Sequence, residues 1–271
     1  MLSLSNPLLF QTASRCLICT LALFSHLSFA DNRSDFREDS TLVFASDPYC
    51  PYICDKSAKH PGFFVEFARM ALEPLGLRIE YELKPWKRVL AEARSGAIDG
   101  VMTLSREDGG GLLLPEKPIL TTCQSVVTSK KSNYHWTDAE SLAGRSMALV
   151  AGYTYDGPVR EWLLANQESK DIHHIHGAKA LEEILGLIAK DKLEMTISDC
   201  NVAASTAMAI GYPNTFQYFL TGYRVEMHIG MYQNHPDAEI IVKTLDEAVA
   251  KMRSDGRFQQ LAERYGIQNV N

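Results

Sequence analysis

One short stretch has residue types and spacing suited to gripping a small charged molecule: GAIDGVMTLSRE, Gly96 to Glu107. Gly96 ends a helical segment, Ile98, Val101 and Met102 form a short apolar strand, and Thr103, Ser105 and Arg106 follow where that strand ends. In an open parallel sheet, ligands bind beyond the carboxyl ends of the strands. An arginine there, flanked by hydroxyls, suits a planar carboxylate, because its fork donates two parallel hydrogen bonds. The competing reading is an arginine on a surface turn.

The elements that would carry such a site follow from periodicity. TLVFAS reads as a strand, the apolar spacing of Phe63, Phe64, Phe67, Met70, Ala71 and Leu75 as a helix, and LRIEYEL as a second strand. Pro85 opens another helix through Trp86, Val89, Leu90 and Ala93, because proline is tolerated in a first turn. A second section repeats the alternation. It has a strand at 146–151, a helix at 158–166, a strand at 172–176, a helix at 178–190, the strand LEMTIS and a helix at 201–210. Strand–helix alternation implies a parallel α/β sheet. Two helices, 237–253 and 257–265, end the chain, with Pro236 and Asp237 as a start signal.

Polar groups sit at the strand ends of this second section too. Gly152, Tyr153, Thr154 and Tyr155 lie at a strand-to-helix junction, where free backbone N–H groups suit an anion. Asp199 ends LEMTIS, where it reads as a ligand acid, as the N-cap of the helix that follows, or as both. Tyr49 and Tyr52 lie in the polar, aromatic loop after the first strand.

Residues 1–30 read as a secretory signal peptide, with Arg15 as their only charge, an apolar core at 16–24 and small residues at Ser28 and Ala30. Residues 31–40 read as a disordered lead-in. Without Arg15 the net charge goes from -6 to -7, which disfavours nucleic acid and anionic membranes as partners. No later run is apolar enough to span a bilayer. An exported, monomeric protein is expected. Export permits disulfides. Cys50 and Cys54 bracket a turn-rich tripeptide and are expected to pair, against the alternatives of free thiols or part of a metal site. Cys123 and Cys200 fall in different candidate lobes and are not expected to pair. His173, His174 and His176 form a short histidine-rich strand with no carboxylate or cysteine close in sequence, so neither a metal nor any other cofactor is expected.

Several ordered segments carry a resemblance: DPYCPY, PGFFVEFARMAL, PWKRVLAEARSGAIDGVM, SLAGRSMALVAGYTY, KLEMTISD and the ending from NHPDAEIIVK to QQLAERYG. Across roughly Thr41 to Ile267 the chain resembles the family-3 periplasmic solute-binding proteins, the polar-amino-acid receptors of ABC importers. The resemblance implies an α/β, two-lobed, type II binding-protein fold, with a first lobe of 41–128 and 225–271, a second of 129–224, and crossing strands between them. It implies a small amino-acid-like ligand in the cleft, delivered to the membrane subunits of an importer from the periplasm. Trp86 lies where the family stacks an aromatic on the ligand. Tyr153 and Thr154 match the hydroxyl pair at the second-lobe helix start, and Asp199 matches the acid that holds the ligand's ammonium. Tyr49 and Tyr52 fall where the family presents an aromatic wall. Arg106 departs from the pattern, since better-known members place the carboxylate-gripping arginine several residues further from the strand. Either Arg106 takes that role from a shifted loop or the carboxylate is held otherwise. Two other functions stay open. One is a dehydratase resembling cyclohexadienyl dehydratase, with Glu66 and Asp199 as its available acids. The other is a sensor acting through a membrane partner.

Overall fold

The structure is a computed structural model that describes residues 40–267. The expected signal peptide, and all of the expected lead-in except Ser40, lie outside the described residues. Strand β1 (Thr41–Ser46) lies between β2 (Arg78–Leu83) and β3 (Gly100–Leu104), parallel to both. Helix α1 (Phe63–Leu72) buries Phe63, Phe64, Phe67, Ala68 and Leu72, the face its apolar spacing marks out. Helix α2 (Trp86–Ser95) begins after Pro85 and stops at Gly96, whose φ of 78° is a left-handed cap. A side chain on Gly96 would also collide with the Tyr232 ring, its Cβ lying 2.6 Å from the nearest carbon.

The second section supplies β6 (Met147–Val150), α3 (Gly157–Ala165), β7 (Ile172–Ile175), α4 (Ala180–Ala189), β8 (Met195–Asp199) and α5 (Cys200–Ala209). Helices α6 (Ala238–Ser254) and α7 (Arg257–Arg264) close the chain. Three strands stand outside the expected list: the two-residue β4 (Leu112–Leu113), β5 (Leu120–Ser129) and the 17-residue β9 (Phe216–Tyr232).

The last two join the lobes. The strand order is β2-β1-β3-β9-β5-β8-β6-β7, with β4 also on β9. One end of β9 pairs antiparallel with β3, Gly100 opposite Met231. Its other end pairs with β5, from Leu120 opposite Met227 to Ser129 opposite Phe216. The first lobe packs Phe44, Phe63, Phe64 and Phe67 against Ile241, Leu245, Phe258 and Leu261 of the two last helices. The second lobe packs Met147, Leu149, Trp162, Met195 and Ile197 on one side of its sheet, and Ile184, Leu185, Ile188 and Phe216 on the other.

Cys50 and Cys54 are joined, their Cα atoms 4.4 Å apart. Cys123 and Cys200 are joined as well, at a Cα separation of 5.7 Å, against expectation. The reason lies in the register. Strand β5 runs beside β8 at Gln124, which faces Asp199, so Cys123 on β5 comes next to Cys200, the first residue of α5. The bridge pins β5, one of the two crossing strands, to the start of α5.

Candidate functional site

The cleft is built from the carboxyl ends of strands. Asp47 follows β1, Thr103 and Ser105 stand at the end of β3, Val150 ends β6 and Asp199 ends β8, and all of them line one cavity. Tyr49, Trp86, Asp108, Gln124, Tyr153, Thr154, Tyr155 and Asp156 complete most of its wall. Thr103 has a φ of 61°, a left-handed conformation for a β-branched residue. Such strain persists where surroundings over-determine it and clusters at ligand sites. Here the Thr103 Oγ1 is fixed against Met102 O at 2.6 Å and Ser46 Oγ at 2.8 Å.

Asp199 is only 7% exposed. Its Oδ1 accepts the N–H groups of Asn201 and Val202, both at 2.9 Å, so it caps α5. The Thr122 hydroxyl donates to its Oδ2, and the Tyr52 hydroxyl donates to both oxygens at 3.2 and 3.3 Å. Burial nevertheless pushes its carboxyl up to about 6, with these donors opposing the shift. Tyr52 itself is 0% exposed and does not line the cavity. It stands behind Asp199, held also by Asn201 Nδ2 at 3.0 Å. Tyr49, expected with it in the aromatic wall, does line the cavity, its ring 5.7 Å from that of Tyr52 and 6.2 Å from that of Tyr153.

Groups from the two lobes meet across the cleft. The Tyr153 hydroxyl donates to Asp47 Oδ2. Asp108 accepts from both sides, from Trp86 Nε1 at 3.2 Å and from Thr154 Oγ1 at 2.9 Å. Burial raises the Asp47 carboxyl to about 6 against the Tyr153 hydrogen bond. It also raises Asp156 to about 6, aided by the charges of Glu107 and Asp108 and opposed by Arg160.

Of the expected residues, Tyr49, Trp86, Thr103, Ser105, Tyr153, Thr154 and Asp199 come together around this cavity. Arg106 does not. It is exposed, donates to the Glu116 carbonyl at 3.2 Å and does not line the cavity. Glu66 is bound to Arg264 and to the Tyr265 hydroxyl, fastening α1 to α7 away from the cavity. His173 and His174 are exposed on β7. Asp47, Asp108, Gln124 and Asp156 were not singled out from the sequence. Asp47 could have been, because it too follows directly on a strand's carboxyl end.

The model for bacterial extracellular solute-binding proteins, family 3, matches residues 42–268. The chain belongs to this family. Among its relatives is the L-cystine-binding protein TcyJ of Escherichia coli (strain K12), 26% identical over 261 residues, covering 92% of this chain and 91% of that one. A probable amino-acid ABC transporter-binding protein of Haemophilus influenzae is 27% identical over 199 residues, 72% of each chain. In three dimensions the chain is similar to a structure described for glutathione import in Gram-positive bacteria via GshT and the cystine ABC importer TcyBC of Streptococcus mutans. That likeness has a TM-score of 0.72 at 15% identity and covers 86% of this chain and 98% of the other. The family's two-lobed architecture is thus the frame in which the cleft residues stand.

Proposed function

We propose that this family-3 protein captures a small, amine-bearing, amino-acid-like solute between its lobes and delivers it to the membrane subunits of an ABC importer, without converting it. Asp199 carries the reading. It is a buried carboxylate at the carboxyl end of β8, lining a cleft walled by Tyr49, Trp86 and Tyr153. An ammonium placed there gains a charge-assisted hydrogen bond and a low-dielectric surrounding. Trp86 stacks on the ligand, Thr103, Ser105, Tyr153 and Thr154 offer hydroxyls to it, and Tyr52 holds Asp199 in place. The first lobe takes 41–128 and 225–271 and the second 129–224. Residues 1–30 direct export to the periplasm, and the protein acts as a monomer.

Calorimetry with a panel of amino acids and their amine relatives tests this. A member of the panel should bind, and Asp199→Ala should weaken it by several-fold to about a thousandfold, since a buried charge left unpaired costs about 3–5 kcal/mol at the upper end. A dehydratase is the second reading, favoured by three buried carboxyls, Asp47, Asp156 and Asp199, near 6 and so suited to general-acid work. An anionic substrate would however face a cavity that, among the described residues, is lined by carboxylates and by no cation. Turnover of prephenate or arogenate, with no ligand bound stably, would overturn the binding reading.

A further inference from the structure

The charge of the cavity wall says more about the solute. Among the described residues, four carboxylates line it, Asp47, Asp108, Asp156 and Asp199, and no arginine, lysine or histidine does. Three of the four have partners: Asp47 the Tyr153 hydroxyl, Asp108 Trp86 and Thr154, and Asp199 its cap and hydroxyl donors. Asp156 is different. It is 5% exposed, stands at the start of α3 without a side-chain capping bond, and its Oδ1 has no hydrogen-bond partner. A buried carboxylate oxygen without a donor is costly unless something else supplies one.

The acids fall into two groups. Asp199 and Asp47 both act electrostatically on Tyr49, and Asp108 and Glu107 both act on Asp156. Nearby cations stand outside the lining. Arg160 is exposed on α3, and Lys87 lies with its stem against Gly152. Arg106, the residue that would have gripped a ligand carboxylate, donates to the Glu116 carbonyl and is not in the lining. A zwitterion would bring a carboxylate into this wall with no cation to meet it. An organic cation would find both groups of carboxylates in a wall that also holds the rings of Tyr49, Trp86, Tyr153 and Tyr155, and aromatic rings attract positive charge. An inorganic cation fits less well, because among the described residues no group of three or more acidic, histidine or cysteine side chains is placed to hold a metal ion.

We propose that the solute is a dicationic amine without a free carboxylate, such as a short linear diamine, with one ammonium at Asp199 and the other at Asp156. This deepens the solute-binding reading and rests on it.

The test is calorimetry and thermal shift on the exported full chain with 1,4-diaminobutane, 1,5-diaminopentane, L-lysine, L-arginine, L-cystine and calcium chloride. One of the diamines should bind at least about tenfold more tightly than L-lysine, which differs from 1,5-diaminopentane by one carboxylate. Asp156→Asn should lower diamine affinity by about tenfold or more while its melting temperature stays near that of the parent. Should that variant misfold, Asp108→Asn should show the same loss at the same end of the cavity. Tighter binding of any amino acid than of both diamines overturns the diamine proposal and leaves the solute-binding reading standing. So does binding of calcium alone. No binding by any of them at about 1 mM, together with turnover of prephenate or arogenate, overturns both.

Discussion

Thr154 on the second lobe and Asp108 on the first are joined across the mouth of the cleft, the hydroxyl donating to Oδ1 at 2.9 Å. The same carboxylate takes the Trp86 indole N–H on its other oxygen, so the aromatic wall and the interlobe contact share one acceptor. Thr154→Val removes the donor and keeps the shape. It should raise the ligand dissociation rate by about three- to tenfold with little change in the association rate, as stopped-flow fluorescence from the tryptophans would read.

Trp86 is half-buried in the first turn of α2, at the edge of the cluster that Val89, Leu90 and Ala93 form beneath it. Trp86→Ala should therefore cost about 1–3 kcal/mol of binding through lost stacking and burial, and leave the far-UV circular dichroism and the unfolding cooperativity unchanged. A variant that also lost its cooperative transition would show Trp86 to be structural.

The Asp199 carboxyl titrates near 6 in the fold, against an ordinary value of 3.8. Between these values the folded chain binds more protons than the unfolded one, so this group costs stability as pH rises through the window. Asp199→Asn can still accept the Asn201 and Val202 N–H groups through its amide oxygen, and it removes the titration. In the absence of ligand, the melting temperature of Asp199→Asn minus that of the parent should become more positive from about pH 4 to about pH 7, by about 2–4 °C for each kcal/mol released. A flat difference would show that the carboxyl is not held above its ordinary range.

His228 is 0% exposed on β9, and its ring nitrogens make no well-formed hydrogen bond, the Lys117 backbone being a weak partner. Burial, helped by the charge of Arg106, depresses it to about 4 from 6.5. Here the sign is reversed. As pH falls from 6.5 toward 4, the unfolded chain takes a proton that the folded chain refuses, and stability is lost. His228→Leu should raise the melting temperature, and by more at about pH 5 than at about pH 8, because it removes both the unmet polar atoms and the titration.

Much of this architecture is legible in the sequence because helix and strand periods differ. The phenylalanines of α1, the Pro85 start of α2 and the run LEMTIS each carry a local signal that tertiary packing reinforces. The crossing strands do not. The middle of β9 alternates exposed and half-buried residues through Thr221, Tyr223 and Arg224, with Gly222 at a φ of 79°, so it lacks the apolar stripe of a core strand. Its partners lie about a hundred residues away in β5, a pairing no local pattern encodes. The same holds for Cys123 and Cys200, whose proximity is a matter of register. At the site, residues on strand ends were found by the carboxyl-edge rule, which picked Asp199 and passed over Asp47. Arg106 has the residue type of a carboxylate grip but not the family's spacing, and its guanidinium donates to the Glu116 carbonyl ten residues on.

The route of the chain through its two lobes also sets an order of events during synthesis and export. The first lobe opens with β1 and α1, yet its core is closed by Met227, Ile229 and the helices α6 and α7, up to Ile267. The second lobe is an insertion between β5 and β9, sealed where Ser129 meets Phe216 and Lys130 N–H reaches the Thr215 carbonyl at 2.8 Å. A chain delivered N-terminus first can thus complete the inserted lobe while the aromatic residues of α1 still await their covering helices. The interval between those two moments, rather than the stability of the finished protein, is when Phe63, Phe64 and Phe67 are most open to aggregation, and it ends only with the last dozen residues of the fold.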